Sequence, residues 1–278
     1  MATSILCLNA GSSSLKFKVF EVRIGLHRPA LALLVRLALL ILSHSLFQLL
    51  TSGLSVVCNG VCERVGQRDT PTAPNFHAQA AGHSPVDNVE PFDDHVAALK
   101  RVERYLTSHL GVRPEQVVAV GHRVVMGCDH DAAVLVDAEV KREIEEGAVL
   151  APLHNPPNLL GIEAAEVMFP AAKQVAVFDT AFHTAMPLYN KSYALPKRLA
   201  EKYGIRKYGF HGTSYTWLTE QAALRLGKDV GDVNLILMHL GAGASMCVSS
   251  MYFSRRALAL TRASFIVCQV LCAGREMS

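Results

Sequence analysis

The polar and apolar positions along the chain divide it into stretches with a clear period and stretches without one. Ile5 to Phe20 reads as strand, turn, strand: an apolar run, a small-residue turn over Ala10–Ser14, then alternation through Leu15-Lys16-Phe17-Lys18-Val19. From Asp93 to Leu110 the apolar residues Val96, Leu99, Val102, Leu106 and Leu110 recur at helical spacing, and Gly111 supplies a stop. Gln116–Val125, Gln174–Phe178 and Val233–Met238 are β-branched or apolar runs of strand length, each leading into polar residues. Such runs between helical segments predict a central sheet covered by helices. Polar residues just past strand ends are where α/β folds build their sites.

Two stretches break the pattern. Val22 to about Cys62 is Leu-rich and follows neither period, and the part from Val22 to Val61 is expected to lie outside the core sheet as a helix. From about Ser250 to Ser278 an apolar run ends near Cys272 with no capping or turn chemistry to tie it to what precedes. Within the first stretch, Pro29–Leu50 holds ten leucines in 22 residues and is long enough to span a bilayer. Arg36 near its middle costs about 2.5–3.5 kcal/mol there, the contribution of roughly five leucines, so a buried apolar helix is favoured over a membrane anchor. The first ten residues lack the basic start and small-residue cleavage site of a signal peptide.

Composition narrows the classes further. The 278 residues are 50% apolar and 18% charged, which excludes a disordered chain. Net charge is 27 − 24 = +3, too small for nucleic acid to be the main partner. Seven scattered cysteines imply free thiols in a reducing compartment rather than a disulfide framework. The pairs Cys58/Cys62 and Cys268/Cys272 leave a weak zinc option, because their spacing is not a usual one.

The motifs point one way. Asn9-Ala10-Gly11-Ser12-Ser13-Ser14-Leu15-Lys16 puts hydroxyls, a glycine and a lysine on one turn, suited either to phosphate oxygens or to a plain β-turn. Arg123, in Gly121-His122-Arg123-Val124-Val125, can grip a carboxylate or phosphate bidentately, or make a structural ion pair. Leu153-His154-Asn155-Pro156-Pro157-Asn158 reads as a proline-locked loop that would hold His154 at a site or leave it solvated. Asp179 closes an apolar strand as an acid–base, metal-holding or helix-capping carboxylate. His211 lies between glycines ahead of a helix that Thr213 or Ser214 would cap, running through Leu226. His239-Leu240-Gly241-Ala242-Gly243 is a second small-residue turn suited to nucleotide phosphates. Hydroxyl- and glycine-rich turns with Arg, His and Asp are the parts phosphoryl transfer needs. No serine-triad elbow, Rossmann fingerprint or zinc-protease helix competes.

In this order, Asn-Ala-Gly-Ser-Ser-Ser-Leu-Lys, Gly-His-Arg-Val-Val, Leu-Ala-Pro-Leu-His-Asn-Pro, Phe-Asp-Thr-Ala-Phe-His and Gly-Phe-His-Gly-Thr-Ser resemble the acetate kinases. These belong to the sugar kinase, actin and heat-shock ATPase superfamily. The resemblance covers Ile5–Phe20 and roughly Cys62–Ser249. It implies an α/β, ribonuclease H-like (actin-like ATPase) lobe with a mixed sheet, flanking helices and a truncated second lobe. The domains it implies are 1–21 with 62–185 as first lobe, 22–61 as an insertion, 186–249 as the start of a second lobe, and 250–278 as an unrelated tail. The insertion and tail are most simply read as translated non-coding sequence and foreign sequence.

By motif, the resemblance implies Asn9 near Mg²⁺ and Ser12, Ser14 and Lys16 in a phosphate-binding turn. Arg123 would bind the acid and steady the phosphoryl group; Asp179 would be the essential carboxylate and His211 the transition-state stabiliser. His154 and His239 would support them, and His239, Leu240, Gly241, Ala242 and Gly243 would form the nucleotide-phosphate loop. Val125, Leu153 and Phe210 would line a small apolar pocket for the acid. Acetate, acetyl phosphate and ATP/ADP follow as ligands, with a homodimer, a cytoplasmic location, and neither nucleic acid nor membrane as partner. The sequence departs from the family pattern at Met126 and Tyr215, where His is expected, at Cys128 (Gly) and at Ala242 (Asn). The second-lobe adenosine pocket, second catalytic arginine and metal-linked glutamate have no match here, so little or no turnover is expected of this polypeptide; the alternative is a non-catalytic soluble remnant that binds the acid or phosphate.

Overall fold

The computed structural model describes residues 3–22, 54–67, 73, 75–241, 243–249 and 271–272. They divide into two compact units, one of residues 1–126 and 133–177 and the other of 127–132 and 178–278. The division falls between Val177 and Phe178, the last two residues of the strand Lys173–Phe178.

The first unit is built on a mixed sheet. Its strands are β1 (Thr3–Ala10), β2 (Ser14–Val22), β3 (Leu54–Glu63), β4 (Phe76–Ala80), β5 (Val86–Asn88), β6 (Val117–Val124), β7 (Val134–Leu135) and β8 (Lys173–Phe178). Their spatial order is β5-β4-β3-β2-β1-β6-β8-β7, antiparallel from β5 to β1 and parallel between β1 and β6. Helices α1 (His95–Leu110), α2 (Ala138–Glu146) and α3 (Asn155–Met168) flank it. The expected strand–turn–strand at Ile5–Phe20 and the helix ahead of Gly111 are both present. Asp94 caps α1 by accepting from the Ala97 amide at 2.7 Å, and Gly111 ends it at φ 66°, a conformation glycine adopts without strain.

Alternation splits the apolar residues between two faces. Leu6, Leu8, Leu15, Phe17 and Val19 join Leu99, Val102 and Leu106 of α1 and Ala164 and Ala165 of α3 in the larger core. Ile5, Cys7, Phe20 and Val22 form the second cluster with Ala119, Val175 and Val177.

Strand β3 corrects the expectation that residues 22–61 lie outside the sheet. Val22 ends β2, and Leu54–Val61 belong to β3, paired along most of β2. A β-bulge shifts its register. Val19 pairs with Cys58 and Phe20 with Val56, leaving Val57 as the extra residue. The inward side therefore changes at Val57: Leu54 and Val56 serve the second cluster, Cys58 and Cys62 the first. A period-2 count puts Leu54, Val56, Cys58 and Cys62 on one face and so misreads the sides of the strand. Gly60 adds a close approach, since a Cβ there would lie 2.5 Å from the Phe17 ring of the neighbouring strand. Residues 29–50, the candidate membrane segment, lie outside the described residues. Among the described residues, no helix is long and apolar enough to cross a membrane.

Cys58 and Cys62 are core residues, and burial pushes both thiols up to about 12, whereas zinc takes thiolates. No group of three or more His, Cys, Asp or Glu side chains that could hold a metal occurs among the described residues. Cys268 lies outside them.

The second unit contains α4 (Leu188–Lys191), α5 (Lys197–Lys202), α6 (Gly212–Leu226) and a sheet of β9 (Leu235–Leu240), β10 (Gly243–Ser249) and β11 (Leu271–Cys272), in the order β11-β10-β9. Its core joins Met186, Tyr215, Leu237 and Cys247. β9 is not buried on both sides as the apolar run suggested: Leu237 faces the core, while Ile236, Met238 and Leu240 are exposed. In the expected foreign tail, Leu271–Cys272 pair with Gly243–Ala244; the rest of the tail lies outside the described residues.

Candidate functional site

Each unit assembles its own group of the expected residues. In the first, β1 and β6 run parallel with Leu8 beside His122, which brings Asn9 and Arg123 to the same end of the sheet. Arg123 Nη1 donates to Asn9 Oδ1 at 3.4 Å. Asn9 faces Lys16 across the β1–β2 ladder, and the Gly11 amide donates to the Ser14 carbonyl at 2.8 Å to close the turn. Ser12 is exposed at its tip and Ser14 opens β2. Lys16 also lines a cleft of about 460 Å³ with Lys18, Asn59, His77 and Gln79.

The stretch around His154 differs from the expected loop. Helix α3 begins at Asn155, with His154 exposed at the N-cap position and Pro156 and Pro157 in the first turn. Proline is tolerated there because first-turn N–H groups have no intrahelical partner. The buried residues of this turn are two asparagines that sequence reasoning did not single out. Asn155 accepts from the Met126 amide at 3.0 Å and donates to the Met126 and Ile144 carbonyls at 3.0 and 2.9 Å. Asn158 accepts from the Val125 amide at 3.1 Å and donates to the Ala10 carbonyl at 2.6 Å. The only signal for them was their i, i+3 spacing. Val125 is buried, whereas Leu153 is 70% exposed.

In the second unit, Asp179 directly follows β8 and is fully buried. Thr213 Oγ1 donates to Asp179 Oδ1 at 3.1 Å, and the Gly212 amide donates to the Asp179 carbonyl at 3.0 Å. Gly212 permits this approach, since a Cβ would lie 2.1 Å from that carbonyl oxygen. Neither Thr213 nor Ser214 caps α6. The N-cap is His211, held at φ 55° in the left-handed region. The two hydroxyls instead reach Asp179 and His239.

His211 sits at the centre of this network. Its Nδ1 lies 2.8 Å from Ser245 Oγ, which also bonds the Tyr215 hydroxyl at 2.5 Å. Its ring stacks on that of His239 at 4.1 Å, and His239 Nδ1 lies 3.0 Å from Ser214 Oγ. His239 and Ser245 face each other across the β9–β10 ladder. Leu240 ends β9 and is exposed, as is Gly241; Gly243 opens β10, and Ala242 lies outside the described residues. Before the network, His183 donates through Nε2 to the Phe210 carbonyl at 2.9 Å, fixing the backbone that enters His211. Burial pushes His183 down to about 4, so its ring is neutral near pH 7. Gly209 lies under this ring, where a Cβ would be 2.1 Å away.

The order of these groups along the chain matches the acetokinase family, whose family model matches residues 4–251. The chain belongs to that family. It is 40% identical over 246 residues to an acetate kinase of Streptomyces coelicolor, covering 88% of this chain and 53% of that protein. It is 41% identical over 249 residues to one of Coprothermobacter proteolyticus, covering 87% and 54%. Solved structures agree. Porphyromonas gingivalis acetate kinase superposes with a TM-score of 0.68 at 31% identity, and a Francisella tularensis propionate kinase with 0.69 at 32%. Each covers 89% of this chain and 55% of the neighbour. The chain thus spans about half the length of the relatives it matches. The fold is the expected ribonuclease H-like α/β lobe with a mixed sheet and flanking helices.

The side chains fit the magnesium that this family implies only in one manner. Asn9 offers a hard carbonyl oxygen, and no cluster among the described residues makes an all-protein cage. Mg²⁺ bound mostly through phosphates and water, with few protein ligands, suits that donor set.

Proposed function

We propose that this chain carries the acid-phosphorylating machinery of an acetate kinase, which transfers the γ-phosphoryl group of ATP reversibly to acetate. The observation that carries the reading is the second-unit network, a buried Asp179 anchored on the first turn of α6 next to the histidine that opens that helix. Phosphoryl transfer depends on positioning and charge neutralisation, and this network holds its groups at fixed distances before any ligand arrives.

The roles follow residue by residue. Arg123 binds the carboxylate and steadies the phosphoryl oxygens; its contact with Asn9 limits the orientations of the guanidinium. Lys16, Ser12 and Ser14 neutralise and hydrogen-bond phosphate. Asn9 would help to hold Mg²⁺, which would supply charge neutralisation on the phosphate oxygens. His211 donates a hydrogen bond to the phosphoryl group in flight, and His154 and His239 support the site. The turn from His239 to Gly243 receives nucleotide phosphates. Val125, Leu153 and Phe210 select a short acid. One methylene changes selectivity by only about 1–3 kcal/mol, so propionate is accepted as well. A homodimer and a cytoplasmic location belong to the same reading.

The 278 residues hold Arg123, Asp179 and His211, while the opposing arginine and the adenosine pocket of the family have no counterpart identified among them. Loss of one such arginine costs roughly 10³–10⁵ in rate, so this polypeptide alone turns over slowly or not at all. The test traps acetyl phosphate as hydroxamate from ATP, Mg²⁺ and acetate, alongside Asp179→Asn. Slow formation abolished by Asp179→Asn supports the reading, and so does binding of acetyl phosphate that Arg123→Ala abolishes. Ordinary kinase rates would overturn the low-turnover proposal. Equal binding by Arg123→Ala would overturn the assigned acid site.

A further inference from the structure

The second unit contains a three-member chain of hydrogen bonds that ends on the histidine at the N-cap of α6. Tyr215 is fully buried, and its hydroxyl meets Ser245 Oγ at 2.5 Å. Ser245 is 4% exposed, and the same Oγ meets His211 Nδ1 at 2.8 Å. Between a phenol and an imidazole nitrogen, the single Ser245 proton can point only one way at a time. Among these three groups the chain then has two consistent directions. Either Tyr215 donates to Ser245 and Ser245 donates to Nδ1, or Nδ1–H donates to Ser245 and Ser245 donates to the phenol oxygen.

The chemistry of the ends selects between them. A phenol is a stronger donor than an alkyl hydroxyl, with a pKa of about 10, and a weaker acceptor, because the ring withdraws its lone pair. Neutral imidazole offers a good acceptor at its unprotonated nitrogen. Both ends therefore favour donation from Tyr215 through Ser245 into Nδ1. The backbone leaves little slack for another arrangement. His211 is held by its φ of 55°, by the His183 contact to the Phe210 carbonyl and by stacking on His239. Ser245 is held opposite His239 in the ladder.

We infer that Tyr215 is a positioning residue which, acting through the Ser245 hydroxyl, holds His211 as the neutral Nε2–H tautomer. The ring's other nitrogen is then a hydrogen-bond donor, the form that suits an anionic phosphoryl oxygen and not a proton-accepting role. That the partner of one ring nitrogen sets the tautomer of a histidine is general. What is specific here is that the partner is a serine aligned by a buried phenol. The functional meaning rests on the reading of His211 given above; the tautomer itself does not.

The experiment is nitrogen NMR on the full chain labelled with ¹⁵N-histidine, without substrates, with the His211 signals assigned by their loss in His211→Gln. The expected spectrum shows an unprotonated Nδ1 and a protonated Nε2. Tyr215→Phe keeps the ring volume and removes the donor; it is expected to shift the tautomer ratio by roughly threefold to tenfold, the worth of one hydrogen bond. Ser245→Ala is expected to produce at least that shift and serves if Tyr215→Phe does not fold. A protonated Nδ1 in the unmodified protein overturns the inference. So does an unchanged ratio in a folded variant. Absence of phosphoryl transfer with the expected tautomer would count against the proposed function and leave the relay standing.

Discussion

Asn158 and Ala10 stand 148 residues apart in the chain, and the Asn158 amide donates to the Ala10 carbonyl at 2.6 Å. The same side chain accepts from the Val125 amide at 3.1 Å. One asparagine therefore ties the end of β1, beside Asn9, to the residue that follows β6, two positions beyond Arg123. Both strands reach their candidate ligand groups at this end. A buried backbone donor and acceptor would otherwise be unpaired there.

Asn158→Ala is expected to destabilise the protein by about 2–4 kcal/mol, because it leaves the Val125 N–H and the Ala10 carbonyl without that partner. Urea denaturation measures the change. Acetyl phosphate binding should weaken as well, since the spacing of Asn9 and Arg123 depends on the tie. A variant with unchanged stability would show that the tie contributes nothing.

Acidification should unfold the protein through two buried histidines. Burial pushes His122 and His183 down to about 4, although Gln174 and the Phe210 carbonyl respectively hydrogen-bond to them. Above pH about 7.5 both are almost wholly neutral in either state and contribute almost no pH dependence. Below that, the unfolded chain takes up protons the folded one refuses, so stability falls until about pH 4. The loss comes to about 2 kcal/mol per histidine between pH 7.5 and 5. Urea midpoints at those two pH values check it, and His122→Gln should flatten the slope.

Cys128→Gly should stabilise the protein by about 0.5–1 kcal/mol. Cys128 holds φ 50°, a left-handed conformation that costs an L residue roughly 1–2 kcal/mol, partly offset by glycine's larger unfolded-state entropy. Arg206 Nη2 donates to the Cys128 carbonyl at 3.1 Å, a backbone contact the substitution keeps. The family resemblance places glycine at this position. Thermal unfolding at matched redox conditions is the measurement, and a lower midpoint would contradict it.

Gly212→Ala should cost about 1–3 kcal/mol, the usual penalty of forcing atoms into a packed site. Its Cβ would lie 2.1 Å from the Asp179 carbonyl and 2.8 Å from the Phe182 Cβ. The first turn of α6 must move, which lengthens the Thr213 contact to Asp179. A drop in the thermal midpoint is the expected result; an unchanged midpoint would mean that the turn relaxes freely.

Much of the first unit was legible because its strands and α1 obey simple periods. Leu6 and Leu8 alternate with Ile5 and Cys7 onto opposite faces, and Asp94 and Gly111 bracket a helical stripe. What escaped was local irregularity with a long-range cause. The β3 bulge at Val57 divides Leu54 and Val56 from Cys58 and Cys62 between the two faces, and it is pairing with β2, a long-range contact, that draws the end of the Leu-rich stretch into the sheet. The prolines after Asn155 suggested a loop, but the first turn of a helix accommodates them equally well. Thr213 and Ser214 looked like caps because a hydroxyl ahead of a helix usually is one; here Asp179 and His239 attract them.

By itself the sequence determined which chemical groups are present and in what order: a hydroxyl-rich turn with Asn9 and Lys16, then Arg123, Asp179, His211 and the turn after His239. Motif identity survives in sequence because each motif is a short run whose residues are neighbours in the chain. Only the tertiary structure decided the contacts between groups far apart in that order: Arg123 on Asn9, Thr213 on Asp179, and Tyr215 through Ser245 on His211. Those pairings depend on strand register and on the first turns of helices packing against strand ends. Such geometry is set by the summed burial of many side chains, which no local pattern encodes.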